Sequence, residues 1–290
     1  MKTLRELLQG KRFGLVLSAG YFGFYGHTGF WKGLENAGLE PSAYAGTSAG
    51  GLVSAFAASG AQVATLEALL RAQKRDGFWD PDPLGAVVNA ARGGHFATGL
   101  LKGERFRTLL STHLPVKRFE DCKKPLLVVA ANLTHGSTSV FTQGELAPRV
   151  HATCAYPGLF RAVEIDGELY WDGGLVDKAP ALALSDSVAG KGLEALLVHY
   201  LPSRNEGSLT GAMAYARGLS AGMAAIRRDH FRLQLEVLKA RGVPTYVVVS
   251  ELPPVSPKEL HRGPEALKAA TLSAEAALSA PPREFSVEGI

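Results

Sequence analysis

The chain has 290 residues, of which 46% are hydrophobic and 20% charged, and its formal net charge is +4. This composition is that of a globular protein and excludes a disordered or collagen-like chain. No window approaches the roughly 18 apolar residues that a membrane-spanning helix needs. The first residues lack the apolar stretch of a signal peptide, so we expect a cytoplasmic protein. Two cysteines, Cys122 and Cys154, are too few for a disulfide framework.

Short apolar segments alternate with helical patterns along the chain. After a short helix or arm that starts at residue 4, we predict helices at 27–37, 48–59, 62–73, 104–114, 150–154, 213–241 and 264–278. The predicted strands are 13–18, 44–46, 125–131, 136–142, 169–174, 193–200 and 243–249. This alternation predicts an α/β fold with a mainly parallel sheet covered on both faces.

Residues 76–103 are rich in Gly, Pro and Asp and are predicted to form a long loop or a loosely helical excursion. Long loops in compact domains often serve as lids. The simpler interpretation, which we favour, is a loop whose aromatic residues Phe78 and Trp79 pack on the core. If these two side chains are exposed instead, they could contact a membrane surface, and the mild positive charge would help on anionic lipid.

A G-x-S-x-G sequence, Gly46-Thr47-Ser48-Ala49-Gly50, lies between a predicted strand and a predicted helix. This is the context of a nucleophile elbow, where a serine sits on a sharp turn. Neighbouring chain passes close to such a turn, so glycines are needed two residues on either side, at Gly46 and Gly50. The alternative is a small-residue helix that packs closely on the sheet.

A second glycine-bearing turn, Ser18-Ala19-Gly20-Tyr21-Phe22-Gly23, follows the first strand. Its backbone N–H groups could stabilise an oxyanion. The glycine spacing differs from the G-x-G-x-x-G of dinucleotide-binding loops, and no G-K-[ST] follows as in a P-loop. A tight turn without chemical function is the alternative.

Asp172-Gly173-Gly174 ends a predicted strand, which presents the carboxylate for contact with another group, whereas Asp166-Gly167 is predicted to be a hairpin turn. The eight histidines are scattered without metal-binding spacing, so we expect no metal site. A Ser-His-Asp triad in the usual order could still take its histidine from positions after Asp172: His199, His230 or His261.

Taken together, these segments resemble the patatin-like phospholipase family. The most specific similarity is Ala152-Thr153-Cys154-Ala155-Tyr156-Pro157-Gly158-Leu159-Phe160, followed by Asp166-Gly167 and by Tyr170-Trp171-Asp172-Gly173-Gly174-Leu175-Val176-Asp177. Residues 46–51 match the family's G-T-S-A-G-G elbow, and His27-Thr28-Gly29 matches its H-x-G. The resemblance covers residues 13–180 and, more weakly, the strand and helices of 190–280. It implies a three-layer α/β/α fold and a single domain over residues 1–290.

The resemblance also implies a Ser–Asp dyad without a catalytic histidine. Ser48 matches the nucleophile, Asp172 its partner, and Gly173 and Gly174 the glycines of the D-G-G motif. Counted back from His27, the oxyanion loop would be Ala19, Gly20 and Tyr21. Counted from Gly23, it would be Ser18, Ala19 and Gly20. The family's loop carries an Arg or Lys that this chain lacks in either possible register, and Lys178 stands where the family usually has Asn.

The leading hypothesis is therefore a serine acyl hydrolase of lipid-like carboxylic esters, such as a phospholipase A, lysophospholipase or esterase, with no cofactor and no nucleic-acid partner. Ser48 would attack the ester and Asp172 accept its proton, provided that burial raises the pKa of this carboxyl. Because no charge lies between Ser18 and His27, we expect neutral esters to be better substrates than anionic phospholipids. Two alternatives are a non-catalytic membrane- or partner-binding protein on this fold and an α/β-hydrolase with a histidine triad.

Overall fold

The computed structural model describes residues 1–82, 99–203 and 214–282, together with positions 85, 88, 91, 93 and 210. In chain order its strands are β1 (Phe13–Leu17), β2 (Ala43–Thr47), β3 (Gly99–Leu101), β4 (Leu126–Asn132), β5 (Ser137–Phe141), β6 (Gly158–Phe160), β7 (Val163–Ile165), β8 (Glu168–Asp172), β9 (Ala195–Tyr200) and β10 (Thr245–Val249). The helices are α1 (Leu4–Leu8), α2 (Phe24–Asn36), α3 (Ala49–Ala58), α4 (Val63–Ala72), α5 (Glu104–His113), α6 (Leu146–Thr153), α7 (Ala181–Asp186), α8 (Ala214–Ala240) and α9 (Gly263–Ser279).

Eight of these strands form one sheet in the order β10-β9-β1-β2-β4-β8-β7, with β5 also paired to β4. The five strands from β10 to β4 are parallel to one another. Strands β8, β7 and β5 add antiparallel pairs at the β4 side. The sheet is therefore mainly parallel, as the sequence predicts.

Helices cover both faces of this sheet, because successive side chains of a strand point to opposite faces. On β1, Leu15 and Leu17 pack with α1, α2, α3, α4 and α9, whereas Val16 packs on the other face with α7 and α8. β4 alternates in the same way, with Val128 on the first face and Val129 on the second. The result is a three-layer α/β/α fold, which confirms the predicted fold class.

The structure departs from the sequence prediction mainly in short elements. β3, β6 and β7 have three residues each, which is too short for a period-2 pattern to be recognised. The strand predicted at 169–174 ends at Asp172, because Gly173–Leu175 form a turn of 3₁₀ helix. The hairpin turn at Asp166-Gly167 is confirmed: both residues have positive φ angles, 54° and 81°, and the turn joins β7 to β8.

The register of β4 brings two distant chain segments together. Thr47, the last residue of β2, pairs with Val129, and Asp172, the last residue of β8, pairs with the next residue, Ala130. The two strands run in opposite directions, so their carboxyl ends meet at this point of β4. The residue after Thr47 is Ser48, which therefore lies beside Asp172.

Candidate active site

Ser48 lies on a sharp turn between β2 and α3, with φ 55° and ψ −125°. A positive φ is unfavourable for a residue with a Cβ and is common at functional sites. The turn depends on the two flanking glycines. A Cβ at Gly50 would lie 2.1 Å from the Leu17 carbonyl oxygen, and one at Gly46 would lie 2.4 Å from the Gly50 carbonyl oxygen. The chain thus forms the elbow geometry that the G-x-S-x-G sequence predicts.

Two residues at the end of α6 hold this elbow in place. The Ser48 backbone N–H donates to Thr153 Oγ1 at 2.9 Å, and the Thr153 hydroxyl donates to the Val129 carbonyl oxygen. Cys154 Sγ donates to the Ser48 carbonyl oxygen at 3.2 Å. The elbow is therefore tied to β4 through side chains more than 100 positions away. No local pattern around Thr153 or Cys154 indicates this role beyond their place in the family block.

The Asp172 carboxylate accepts two hydrogen bonds and is 3% exposed. Ser48 Oγ donates to Oδ2 at 2.6 Å, and the Gly174 backbone N–H donates to Oδ1 at 2.7 Å. Burial raises the pKa of Asp172 to about 6, against the opposing effects of these two hydrogen bonds and of the Arg227 charge. The carboxylate is thus held in position and is a stronger base than an exposed aspartate.

The glycine loop after β1 presents fewer free amides than the sequence predicts. The Ala19 N–H donates to the Lys178 carbonyl oxygen at 2.7 Å, so it is not available to an oxyanion, which corrects that part of the prediction. In the described part of the chain, the N–H groups of Gly20 and Tyr21 have no acceptor. Both residues line the same cavity as Ser48. The free amides of the predicted oxyanion loop are therefore those of Gly20 and Tyr21.

A pair of buried histidines supports this loop from the core. His27 Nε2 lies 2.7 Å from the Ser18 carbonyl oxygen, and its Nδ1 lies 2.9 Å from Nδ1 of His199. Ser18 also donates its N–H to the His199 carbonyl oxygen, and its Oγ accepts the Leu201 N–H. The residue that precedes Ala19 is thus fixed at three atoms, which gives His27 and His199 a positioning role.

No histidine of residues 1–82, 99–203 or 214–282 bonds to Ser48 or Asp172. His199 is buried against His27 and Phe30, whereas His230 and His261 are exposed. His95 lies outside the described residues. The three candidates for the third member of a triad are therefore separated from the Ser48–Asp172 pair.

Two cations reach the site from distant parts of the chain. Arg227 on α8 donates from Nη1 to the Gly174 carbonyl oxygen at 3.0 Å. Lys178, which is 3% exposed, donates from Nζ to Ser203 Oγ at 2.8 Å. Both side chains line the cavity that contains Ser48 and Asp172. Lys178 is already unusual in the sequence, whereas no sequence signal places Arg227 near the D-G-G turn.

Ser48 and Asp172 line a cavity of about 1370 Å³. Ligand sites for drug-sized molecules usually have about 300–1,000 Å³, so this cavity has room for a larger amphiphile. Much of its wall is apolar, and the aliphatic and aromatic side chains there include Leu52, Phe56, Leu66, Leu70, Phe78 and Phe106. The site therefore offers a hydrophobic compartment next to a serine and a carboxylate.

The aromatic residues of the predicted loop pack inward, as the favoured interpretation of the sequence predicts. Phe78 is 8% exposed and lies against Phe22, with ring centroids 6.1 Å apart. Trp79 is half-buried, and the Arg75 guanidinium lies 3.8 Å from its ring centroid. Most of residues 83–98 lie outside the described residues, so the lid interpretation concerns a segment for which no structure is given. Phe78 is not a free membrane-contacting side chain.

Neither a metal site nor a membrane-spanning helix is found in the described residues. No group of three or more His, Cys, Asp or Glu side chains among them is placed to hold a metal ion. None of the helices in these ranges combines the length and apolarity needed to cross a bilayer.

The chain is similar to known proteins over a stretch that includes this site. Residues 15–185, which include Ser48 and Asp172, match the family described as patatin-like phospholipase. An NTE family protein of Mycobacterium tuberculosis is 28% identical over 192 residues, which are 65% of this chain and 31% of that protein. Patatin-like phospholipase domain-containing protein 6 of Mus musculus is 26% identical over 180 residues, which are 61% of this chain and 13% of that protein. The chain thus spans about a third or less of the length of these relatives.

Two solved structures share parts of the chain path. VipD from Legionella pneumophila covers 92% of this chain and 67% of its own, with a TM-score of 0.45 and 14% identity. Full-length ExoU of Pseudomonas aeruginosa, in complex with SpcU, covers 93% of this chain and 53% of its own, with a TM-score of 0.42 and 16% identity.

Proposed function

Because the chain belongs to the patatin-like phospholipase family, we propose that it is a serine hydrolase of lipid-like carboxylic esters with Ser48 as nucleophile and Asp172 as base. The observation that carries this proposal is the 2.6 Å hydrogen bond from Ser48 Oγ to Asp172 Oδ2 on the wall of a large apolar cavity. A nucleophile within hydrogen-bond reach of its base is the signature of covalent catalysis.

In the first half of the reaction, Ser48 Oγ attacks the ester carbonyl carbon while its proton moves to Asp172 Oδ2. The carbonyl oxygen becomes an oxyanion that accepts hydrogen bonds from the N–H groups of Gly20 and Tyr21. Donors fixed before the reaction stabilise such a charge without reorganisation. The intermediate then collapses: the bond to the leaving alcohol breaks, the alcohol takes the proton from Asp172, and an acyl-serine remains.

In the second half, a water molecule attacks the acyl carbon and gives its proton to Asp172. Collapse of the second tetrahedral intermediate breaks the bond to Ser48 Oγ, which regains the proton. The products are the free carboxylic acid and the unmodified enzyme. Asp172 thus acts alternately as base and acid, which a group with a pKa of about 6 does efficiently near neutral pH.

The cavity supports a substrate with a long apolar chain. Its walls next to the elbow are formed by α3 and α4 side chains, including Leu52, Phe56 and Leu70. Burial of apolar surface contributes roughly 0.8 kcal/mol per CH₂ group, so each methylene of an acyl chain would strengthen binding. Lipid esters are therefore the favoured substrate class.

We further propose that residues 1–290 form one domain and that the protein is cytoplasmic.

We also propose peripheral contact with membranes. Tyr21, 60% exposed, and Tyr156 line the cavity and lie with ring centroids 5.9 Å apart. Aromatic residues with a polar end suit a membrane–water interface. Flotation with liposomes tests this: Tyr21→Ser together with Tyr156→Ser should weaken binding, and equal flotation of variant and wild type would refute contact through these residues.

Turnover of a p-nitrophenyl ester by the wild type and by Ser48→Ala tests the main proposal. We expect kcat to fall by about 10⁴-fold or more in the variant, as it does on removal of a nucleophile elsewhere. A fluorophosphonate should label the wild type at Ser48. A wild type without turnover would favour the non-catalytic alternative, and labelling at another serine would refute the assignment of Ser48.

A further inference from the structure

Two cations and three carboxylates, those of Asp172, Glu251 and Glu259, line the cavity. Lys178 and Arg227, here called the cationic pair, both line the cavity. Neither forms an ion pair with a carboxylate in the described parts of the chain. The carboxylate of the neighbouring Asp177 instead accepts hydrogen bonds at Oδ1 from the Ala179 N–H and from Gln234 Nε2.

The side chains in direct contact with the Lys178 ammonium group are uncharged. Its Nζ atom donates to the Ser203 hydroxyl and lies 4.4 Å from the centre of the Tyr200 ring. Burial and the nearby Arg227 charge lower the pKa of Lys178 to about 7. A buried ammonium group without a counterion is unfavourable. An anion bound beside it would remove this cost.

Two of the three guanidinium nitrogens of Arg227 donate to backbone carbonyl oxygens. Its Nε donates to the Met223 carbonyl oxygen at 3.1 Å, and its Nη1 donates to the Gly174 carbonyl oxygen at 3.0 Å. Its Nη2 has no acceptor among the residues that the structure describes. Three hydrogen bonds in series thus connect this guanidinium, through Gly174 and Asp172, to Ser48. An anion held by Arg227 would therefore lie close to the reacting ester.

We propose that Lys178 and Arg227 form a subsite for the phosphate group of a phospholipid or lysophospholipid substrate. This inference rests on the proposed function and adds the two residues that would hold the head group. Guanidinium and ammonium groups bind phosphate by charge-assisted hydrogen bonds. The apolar part of the cavity favours a phosphate on an amphiphile over free phosphate.

The cationic pair reverses the expectation that neutral esters are the better substrates. That expectation followed from the lack of charge between Ser18 and His27. The structure supplies the positive charge from positions 178 and 227 instead. An anionic head group that leaves water would find partners here, so its desolvation would be compensated.

Ligand binding to Ser48→Ala protein tests the subsite without requiring catalysis. Isothermal titration with decyl phosphate and with decanol, both below their aggregation limits, compares an anionic with a neutral amphiphile. In this background, Lys178→Met and Arg227→Gln should each weaken decyl phosphate binding by about tenfold or more, the effect of losing a hydrogen bond to a charged group. Decanol binding should change much less, and Arg227→Lys should keep most of the decyl phosphate affinity.

Arg228→Gln is the matched control, because Arg228 is an exposed neighbour on α8 and its loss changes the net charge equally. An equal loss of decyl phosphate affinity in this control, or an equal loss of decanol affinity in the Lys178 and Arg227 variants, would overturn the subsite. Decanoate bound as tightly as decyl phosphate would overturn the assignment of the subsite to phosphate. Inorganic phosphate bound as tightly as decyl phosphate would overturn the assignment of that phosphate to a lipid. Circular dichroism monitors folding. If Arg227→Gln does not fold, the test rests on Lys178→Met, which preserves the length of the side chain. Binding without any esterase activity in the wild type would refute the proposed function alone.

Discussion

The Nδ1 atoms of His27 and His199 lie 2.9 Å apart, although 172 residues separate these histidines in the chain. The Ser18 carbonyl can only accept, so His27 carries its proton on Nε2 and presents a lone pair at Nδ1. His199 must then donate from Nδ1, and its buried Nε2 is without a partner in the described structure. With one proton on each ring, as burial favours, both imidazoles are neutral.

We predict that this pair makes the protein acid-sensitive. Burial lowers the pKa of His27 to about 3 and that of His199 well below its usual value. Below pH about 6.5 the unfolded chain therefore binds protons that the folded protein does not. The free energy of unfolding should fall as the pH drops from about 6.5 toward 4.

His199→Phe tests this prediction, because Phe preserves the stacking on Phe30 and removes one titrating group. The variant should be less stable at neutral pH, since His27 Nδ1 loses its donor, but its Tm should depend less on pH between about 6.5 and 4. His113→Phe, at an exposed histidine, is the control and should keep the wild-type slope. Parallel Tm curves for wild type and His199→Phe would contradict the prediction.

The proposed base gives a defined pH–rate profile. Since the pKa of Asp172 is about 6, kcat/KM should rise with pH through a midpoint near 6 and then level off. The Arg227 charge lowers the pKa of this carboxyl, so Arg227→Gln should move the midpoint to higher pH. Initial rates on a neutral p-nitrophenyl ester from pH 4.5 to 8 measure both effects. An unchanged midpoint would show that Arg227 does not act on Asp172.

Asp172→Asn should lower kcat by about 10³-fold or more, because an amide cannot accept the serine proton. The amide preserves the size of the side chain, and its oxygen can still accept the Gly174 N–H. The thermal unfolding curve reports whether the fold is retained. Activity within tenfold of the wild type, in folded protein, would exclude Asp172 as the base.

His230 and His261 should be dispensable for turnover. His230→Ala and His261→Ala change exposed side chains that do not contact Ser48 or Asp172, so each should retain most of the wild-type kcat. His199→Ala removes a side chain that positions the glycine loop through His27. Its kcat should therefore fall only in proportion to the fraction of protein that unfolds. A large loss of kcat in folded His230→Ala or His261→Ala would support a histidine triad instead.

The strained elbow predicts an unusual ranking of two inactive variants. At φ 55° and ψ −125°, glycine has no steric penalty, whereas alanine keeps the strain of the serine. Ser48→Gly should therefore unfold at a higher urea concentration than Ser48→Ala. Its free energy of unfolding should be greater by about 1 kcal/mol, after the greater chain entropy of glycine is subtracted. Greater stability of Ser48→Ala would mean that the turn is not strained.

The sequence by itself determined the features that depend on neighbouring residues. The strand–helix alternation, the elbow at Ser48 and the turn after Asp172 all follow from hydrophobic periodicity and from glycines at fixed spacing. The same patterns are the basis of the similarity to the patatin-like phospholipase family, to which the chain belongs. They left the short strand β7 and helix α7 unrecognised, because elements of three to six residues are too short to show a period.

Only the tertiary structure decided which distant groups meet. Ser48 reaches Asp172 because β2 and β8 pair with consecutive residues of β4, a matter of strand register that no local pattern encodes. The use of the Ala19 amide by Lys178, the contact of Arg227 with Gly174 and the pairing of His27 with His199 likewise join residues far apart in the chain. The charge and the hydrogen bonds around the elbow arise from packing, because burial and distance set their strength and both exist only in the folded chain.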